Sequence, residues 1–257
     1  MTRYAFLDKN IKARNMADFV HGHGWNLLQL EENSFILQDA EMIAVHGVLR
    51  GNSNLIRQAM MTKTPWVYMD NAGDYFPPEC EMYKRVCLNS TAPTIFRSGK
   101  RFEHNVKIMS WRGGRGDKIL LLPPSPPYMD TFDLRNWLNE MAHTINIYTG
   151  REIVVRAKPA KGRFARPLQE QLNEAYCVVT WGSAIALEAM RMGIPTISTG
   201  WCPAKFASKK MEDLETSEML VEPDRMSIFN SLTWSCFSKK ELDSAYNIVM
   251  ENYNCNP

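Results

Sequence analysis

The segment between residues 176 and 200 constrains the fold more than any other part of this chain. Residues 177–180 form the short apolar run that a parallel strand buried on both faces requires. Gly182 and Ser183 follow as a turn, and strong helix formers then continue to Gly193, before a second strand-forming run. Strand, turn, helix and strand in this order predict half of a nucleotide-binding α/β unit. Ligands of such sheets bind beyond the carboxyl ends of the strands, so we expect the turn to contact one.

Strand-forming and helix-forming segments alternate twice along the chain, a pattern typical of two α/β domains with parallel sheets. The strands predicted in the first half are 4–7, 25–30, 42–46, 66–70 and 94–96, and those in the second half are 118–122, 152–157, 177–180 and 196–198. A helix is predicted to begin at Thr131.

Residues 111–117 contain three glycines within four positions and predict a flexible hinge. We therefore divide the chain into a first domain at 1–110 and a second domain at 118–236. The C-terminal helix at 237–257 is treated separately, and its return to the first domain is left open. Two domains joined by a hinge predict a cleft between them.

Composition limits the classes of protein to which the chain can belong. With 257 residues, of which 45% are hydrophobic, it can bury a sizeable core. It has no apolar run long enough to cross a membrane, and its N-terminus lacks a signal-peptide pattern, so we expect a cytoplasmic protein without a membrane span. Its six cysteines show no metal-binding or disulfide spacing, and we expect reduced thiols.

The segment between residues 176 and 200 also carries a family resemblance. The pattern Gly-Ser-(x)4-Glu-Ala-(x)3-Gly-x-Pro is fitted by Gly182, Ser183, Glu188, Ala189, Gly193 and Pro195. It resembles the donor-domain signature of GT-B glycosyltransferases, particularly their capsule-polysaccharide and Kdo-transferase-like branch. The resemblance implies two Rossmann-like domains facing a cleft, with the acceptor on the side of the first domain, 1–110, and the nucleotide-sugar donor on the second, 118–236. The chain is shorter than is usual for the family. A nucleotide-sugar 2-epimerase, or any α/β domain with a Gly-Ser turn, shares the pattern and stays open.

The resemblance also implies roles for particular residues. The turn at Trp181, Gly182 and Ser183 would hold the phosphates of a sugar nucleotide, and Glu188 would bind a hydroxyl of its ribose or sugar. Arg156 and Lys158 look like the matching positions of a basic-x-His-Pro motif that contacts the donor, with lysine where histidine is usual. A lysine can neutralise phosphate as a point charge but is a poor proton shuttle near neutral pH. A solvated strand end is the alternative.

Ser125 lies in a loop with four prolines that follows the strand at 118–122. Its N–H and hydroxyl could bind a donor phosphate, whereas the prolines lack the N–H groups that usually do so. A rigid surface loop is the alternative. The chain has no Walker phosphate-binding loop.

Candidates for catalysis come from two predicted strand ends in the first domain. Transfer to a hydroxyl with inversion needs a base, and Asp70 is our first choice and His46 our second. Arg50 and Asn71 lie beside them and could bind the acceptor or a phosphate. Loop capping is the alternative for each. The Asp-x-Asp metal motif of GT-A transferases does not occur, and we expect neither a metal nor a cofactor besides the nucleotide-sugar co-substrate.

The charge of the chain is unevenly distributed. Residues 84–115 contain eight cations, including Arg112 and Arg115, and one anion, Glu103. Such a stripe attracts phosphate, and aromatic residues are interleaved with it. DNA is therefore one acceptor to consider, as for compact phage enzymes that glycosylate modified pyrimidines; a phage-encoded chain would act in the host cytoplasm.

We therefore interpret the chain as a hexosyl or pentosyl transferase that moves a sugar from a nucleotide-sugar to a hydroxyl acceptor without a metal. A non-catalytic nucleotide- or nucleic-acid-binding protein of the same fold is the alternative from another class. The sugar, the nucleotide, the acceptor, the stereochemical outcome and the oligomeric state do not follow from residue spacing.

Overall fold

A computed structural model of the chain describes residues 2–7, 12–29, 37, 40–49, 51–72, 75–76, 83–158 and 166–255. The chain forms two compact units, each of which contains its own β-sheet. The first unit comprises Met1–Ile95, Pro127–Asp133 and Thr233–Pro257, and the second comprises Phe96–Pro126 and Leu134–Leu232.

The first unit contains a six-stranded sheet and its helices. Its strands are β1 (Thr2–Leu7), β2 (Asn26–Gln29), β3 (Ala40–His46), β4 (Trp66–Asn71), β5 (Tyr83–Leu88) and β10 (Cys236–Ser238). Its helices are α1 (Lys12–Val20), α2 (Asn52–Thr62), α3 (Pro126–Phe132), whose first residue is assigned to the second unit, and α8 (Leu242–Cys255). The order across the sheet is β10-β5-β4-β3-β1-β2.

This first sheet is mixed, whereas the sequence pattern predicts a parallel one. Strands β2, β1, β3 and β4 run parallel, and β5 runs antiparallel to both β4 and β10. Asn71 at the end of β4 pairs with Lys84 at the start of β5, and the Ala72 N–H donates to the Tyr83 carbonyl at 3.1 Å, so the chain returns directly in the opposite direction. The prediction missed β5, and the strand predicted at 94–96 is wrong because these residues lie in a loop.

The core of the first unit lies between one face of this sheet and the helices α1 and α8. Phe19 of α1 and Val249 of α8 are buried there together with Met69 of β4 and Phe237 of β10. Helix α8 follows a turn in which the Ser238 backbone N–H donates to the Glu241 carboxylate, the pattern of a capping box. The helix packs against α1 and β5 within the first unit.

The second unit contains a four-stranded sheet in which all strands are parallel. Its strands are β6 (Lys118–Leu122), β7 (Glu152–Val155), β8 (Ala175–Thr180) and β9 (Thr196–Ser198), in the order β7-β6-β8-β9. Its helices are α4 (Trp137–Tyr148), α5 (Leu168–Glu174), α6 (Ile185–Arg191) and α7 (Arg225–Leu232). Leu120, Leu172, Val178 and Ala189 are among the buried residues of its core.

The helix predicted to begin at Thr131 is wrong in its bounds. The chain forms two helices, α3 and α4, and Asp133 between them has a positive φ of 53°. A residue in the left-handed region ends a right-handed helix, and aspartate tolerates that region better than most side chains.

The glycine-rich segment 111–117 lies in the second unit and packs closely there. The Arg112 backbone N–H donates to the Gly193 carbonyl at 2.8 Å. A Cβ atom at Gly114 would lie 2.7 Å from the Tyr176 ring, and one at Gly116 would lie 2.2 Å from the Ala175 backbone. These close approaches require glycine for reasons of packing, and the action of this segment as a hinge stays a prediction.

Two parallel-rich sheets with their helices confirm the predicted α/β class. Across the described ranges, none of the helices combines the length and the apolarity that crossing a lipid bilayer demands.

Candidate functional site

The carboxyl edge of the second unit's sheet contains a topological switch point. From β6 the chain crosses to β7 on one side and then returns to β8 on the other side, so β6 and β8 part at their carboxyl ends. Ligands of open parallel sheets bind at this kind of crevice. The Thr180 hydroxyl at the end of β8 donates to the Leu122 carbonyl at the end of β6, over 3.1 Å. The same hydroxyl oxygen accepts the Ser183 N–H at 3.1 Å and so fastens the turn after β8.

An aromatic pair flanks this turn. The Trp181 ring is buried and meets the Trp201 ring edge to face, with 5.7 Å between the centroids. A Cβ atom at Gly182 would lie 2.6 Å from the Trp201 carbonyl oxygen, and one at Gly200 would lie 2.3 Å from the Trp181 Nε1. The two glycines therefore allow the turns after β8 and β9 to interlock. Gly200 and Trp201 are absent from the predicted site residues, although their position directly after a predicted strand placed them at this edge.

The polar side chains of Ser183, in the turn, and Glu188, on α6, both contact residues of α6. The Ser183 Oγ accepts the Ile185 N–H at 3.2 Å, which leaves the serine hydroxyl proton available to a ligand. Glu188, the candidate for a donor hydroxyl, forms an ion pair with Arg191 on the same helix. Burial lowers the pKa of Arg191. A ligand hydroxyl at Glu188 would therefore share the carboxylate with this arginine.

Ser125, Arg156 and Lys158 lie at the same carboxyl edge, because they follow β6 and β7. Ser125 is half-buried and Lys158 is exposed. The Arg156 guanidinium donates to the Arg166 carbonyl at 2.7 Å and to the Gln171 side chain, so it already has partners in the protein.

Arg112 and Arg115 are not brought to this edge. The Arg112 guanidinium donates to the carbonyls of Leu172 and Asn173 at 3.0 and 2.7 Å, close to the residue where β8 begins. Burial and the neighbouring charge of Arg115 lower the pKa of Arg112. Both arginines thus lie toward the amino end of β8, opposite the switch point. Arg50 lies outside the described residues.

In the first unit, the strand pair β3 and β4 brings His46 and Asp70 close together at their carboxyl ends. Asp70 Oδ2 accepts the Tyr68 hydroxyl at 2.8 Å and lies 3.4 Å from the Arg85 guanidinium. Its Oδ1 accepts the backbone N–H of Asn71 at 2.8 Å. The His46 side chain is buried, whereas 27% of the Asp70 side chain is exposed, so Asp70 is the more accessible candidate.

The surroundings of Asp70 favour its ionised form. Burial by itself raises the pKa of this carboxyl, but Arg85, the Asn71 N–H, the Tyr68 hydroxyl and His46 together lower it further than burial raises it. The net pKa lies below the ordinary value for aspartate. A carboxylate of this kind stays charged and can orient a hydroxyl, although a general base works best with a pKa near the working pH.

Arg85 on β5 is a functional candidate that the sequence pattern did not single out. Its guanidinium carbon lies 5.5 Å from the centroid of the Tyr68 ring and 5.8 Å from that of Tyr75, and its Nε has no hydrogen-bond partner within the described chain. The ladder pairs Arg85 directly with Asp70. The sequence could have indicated Arg85 only if β5 had been recognised as a strand. The adjacent lysine and arginine of β5 are not typical of a buried strand.

At least four of the eight cations of residues 84–115 have partners within the protein. Lys84 donates to the Asn71 side chain at 2.5 Å, and Lys100 pairs with Glu103 at 2.5 Å. Arg85 is largely buried beside Asp70, and Arg112 binds carbonyl groups. At least half of these cations therefore already have protein partners, and the role of the stripe in binding phosphate stays a prediction. In the parts of the chain that the structure describes, no three His, Cys, Asp or Glu side chains gather as a metal site would require.

Comparison with known protein families and with curated proteins finds no match. Among solved structures, the chain is similar to the β-Kdo 2,4 transferase of Thermosulfurimonas dismutans KpsC, with 11% identity, a TM-score of 0.44 and coverage of 89% of each chain. It is also similar to the β-Kdo 2,7 transferase of the same organism's KpsC, with 10% identity, a TM-score of 0.47 and coverage of 98% of this chain and 100% of that chain. At such low identity and TM-score, these likenesses carry no argument about function.

Proposed function

We propose that this protein is a glycosyltransferase that moves a sugar from a nucleotide-sugar donor to a hydroxyl acceptor without a metal. The observation that carries the proposal is the switch point between β6 and β8, where Thr180 fastens the turn of residues 181–183 to the end of β6. In open parallel sheets, this crevice is where nucleotides bind.

The groups at this edge suit a sugar diphosphate. The Ser183 hydroxyl and the exposed Lys158 ammonium can bind phosphate oxygens, and Ser125 offers a further N–H and hydroxyl. The Trp181 and Trp201 rings, which meet edge to face, provide an apolar wall at the turn of residues 181–183. Asp70 in the first unit is the proposed acceptor-side base, and His46 is the second candidate.

Thermal stability in the presence of nucleotides tests the donor site. UDP, GDP, ADP, CMP and TDP are compared, each alone and as a sugar conjugate. A ligand at a hundred times its dissociation constant should stabilise the native state by about 2.7 kcal/mol. We expect a selective shift with one nucleotide, and a smaller shift in Lys158→Gln. Lys240→Gln, which removes an exposed lysine from the first unit, is the matched control and should behave as wild type.

Product analysis then separates the enzyme classes. Transfer consumes donor only when an acceptor is present, whereas a 2-epimerase releases an epimer without one. Binding without turnover would favour the non-catalytic alternative. A panel in which no nucleotide shifts the melting temperature would contradict the donor site itself.

DNA stays one proposed acceptor, and salt dependence tests it. A protein that neutralises phosphates loses affinity for duplex DNA steeply as salt rises. Binding that is equally weak at low and high salt would remove DNA from consideration and leave a sugar or lipid-linked hydroxyl.

A further inference from the structure

Helix α3 connects the loop of Ser125 to the first unit. Ser125 directly precedes α3, and residues 127–133 belong to the first unit. The Arg57 guanidinium of α2 donates to the Asp130 carbonyl at 2.7 Å, and Thr131 is buried. The helix is thus held in the first unit although it follows a loop of the second.

A directed chain of hydrogen bonds runs from α3 to Asp70. The Tyr68 hydroxyl proton is donated to Asp70 Oδ2 at 2.8 Å. Tyr68 has no second proton, so it must accept in its 3.0 Å contact with the Tyr128 hydroxyl, and Tyr128 must donate. Hydrogen bonds in series polarise one another, so a donation to Tyr68 strengthens the bond from Tyr68 to Asp70. Tyr68 is fully buried, so a water molecule cannot readily replace Tyr128 as the donor to its hydroxyl.

The loop before Tyr128 is stiff. Prolines occupy positions 123, 124, 126 and 127 around Ser125. Each proline fixes its own φ, and each also restricts the residue that precedes it. We therefore expect the loop to absorb a displacement at Ser125 poorly and to transmit part of it along the chain to Tyr128.

We propose that Tyr128 is a positioning residue, which orients the Asp70 carboxylate through Tyr68 and makes that orientation sensitive to the loop at Ser125. The importance of this arrangement for sugar transfer rests on the proposed function, in which the loop at Ser125 binds the donor and Asp70 acts on the acceptor. The hydrogen-bonded chain itself does not depend on that assignment.

The first test is the titration of Asp70 in the full-length protein labelled with ¹³C at its aspartate carboxyl groups. Asp70→Asn identifies the resonance. We expect Tyr128→Phe, which retains the ring, to raise the pKa of Asp70, because the donation from Tyr68 weakens. Tyr148→Phe removes an exposed tyrosine hydroxyl at the end of α4 and is the matched control, with no change expected. An unchanged Asp70 titration in a folded Tyr128→Phe protein would overturn the positioning role.

The second test perturbs the loop without any ligand. Ser125→Phe places bulk in the loop and should move the Asp70 carboxyl resonance in the wild-type background. The same substitution in a Tyr128→Phe background should move it much less, which makes the pair a double-mutant cycle. An equal movement in both backgrounds would overturn the dependence on the loop. Both tests can succeed while the nucleotide panel fails, so the inference and the proposed function can be judged separately.

Discussion

The hydroxyl of Thr180 is the smallest group whose removal should disturb the switch point. Thr180 is buried, and valine has nearly the same shape, so Thr180→Val removes the hydrogen bonds without leaving a cavity. The half-buried Ser183 N–H loses its acceptor, and a fully buried donor left unsatisfied costs about 1–3 kcal/mol, so we expect the lower part of that range. The donation to the Leu122 carbonyl is lost as well, at about 1 kcal/mol. We expect the free energy of unfolding to fall by about 2 kcal/mol.

Urea unfolding followed by tryptophan fluorescence measures this change. Thr196→Val is the matched control, since it makes the same replacement at a buried threonine of the adjacent strand, outside the turn of residues 181–183; it should lower stability less than Thr180→Val does. The nucleotide-induced thermal shift should also decrease in Thr180→Val, because the turn of residues 181–183 is no longer fastened. If both variants unfold at the same urea concentration, Thr180 does not hold the turn, and the reasoning is refuted.

Three further outcomes follow from the contacts of single residues. Arg112→Gln should lower the free energy of unfolding by about 1–2 kcal/mol, because α5 loses the donors to its last carbonyls, while the nucleotide-induced shift stays unchanged. Hydrogen bonds from Arg166 and then Lys118 lower the pKa of Glu174 to about 2, so the unfolded chain takes up this proton first as the pH falls from about 4.5. Stability should therefore be lost between these values in urea titrations of the wild type and should change less in Glu174→Gln. Burial raises the pKa of Cys87 to about 12 and that of Cys202 to about 11, so mass spectrometry should find neither alkylated by iodoacetamide until the protein unfolds.

The elements that were predicted well carry their signals within a few residues. The strands β6 and β9 have the predicted bounds, since an apolar run next to glycine or proline marks a buried strand locally. The turn at Gly182 and Ser183 was found for the same reason. Strand β5 was missed because its two cations hide its burial, and only its pairing with β4 and β10 makes it a strand.

The residues of the candidate site also divide into those that the sequence located and those that it did not. Trp181, Gly182, Ser183 and Lys158 lie at the carboxyl edge, as strand direction predicts. Arg112 lies toward the amino edge of the sheet, because the close packing of the neighbouring glycines determines where its side chain lies. The sequence showed only that glycines were present.

By itself, the sequence determined the α/β class, most of the strands and the turn at the carboxyl end of β8, because hydrophobic runs and turn residues act on neighbouring positions. The tertiary structure decided the antiparallel β5, the closeness of Arg85 to Asp70, and the bond between Tyr128 and Tyr68. These contacts join residues far apart in the chain. They form only where burial of the whole sheet compensates the entropy lost in bringing such distant segments together.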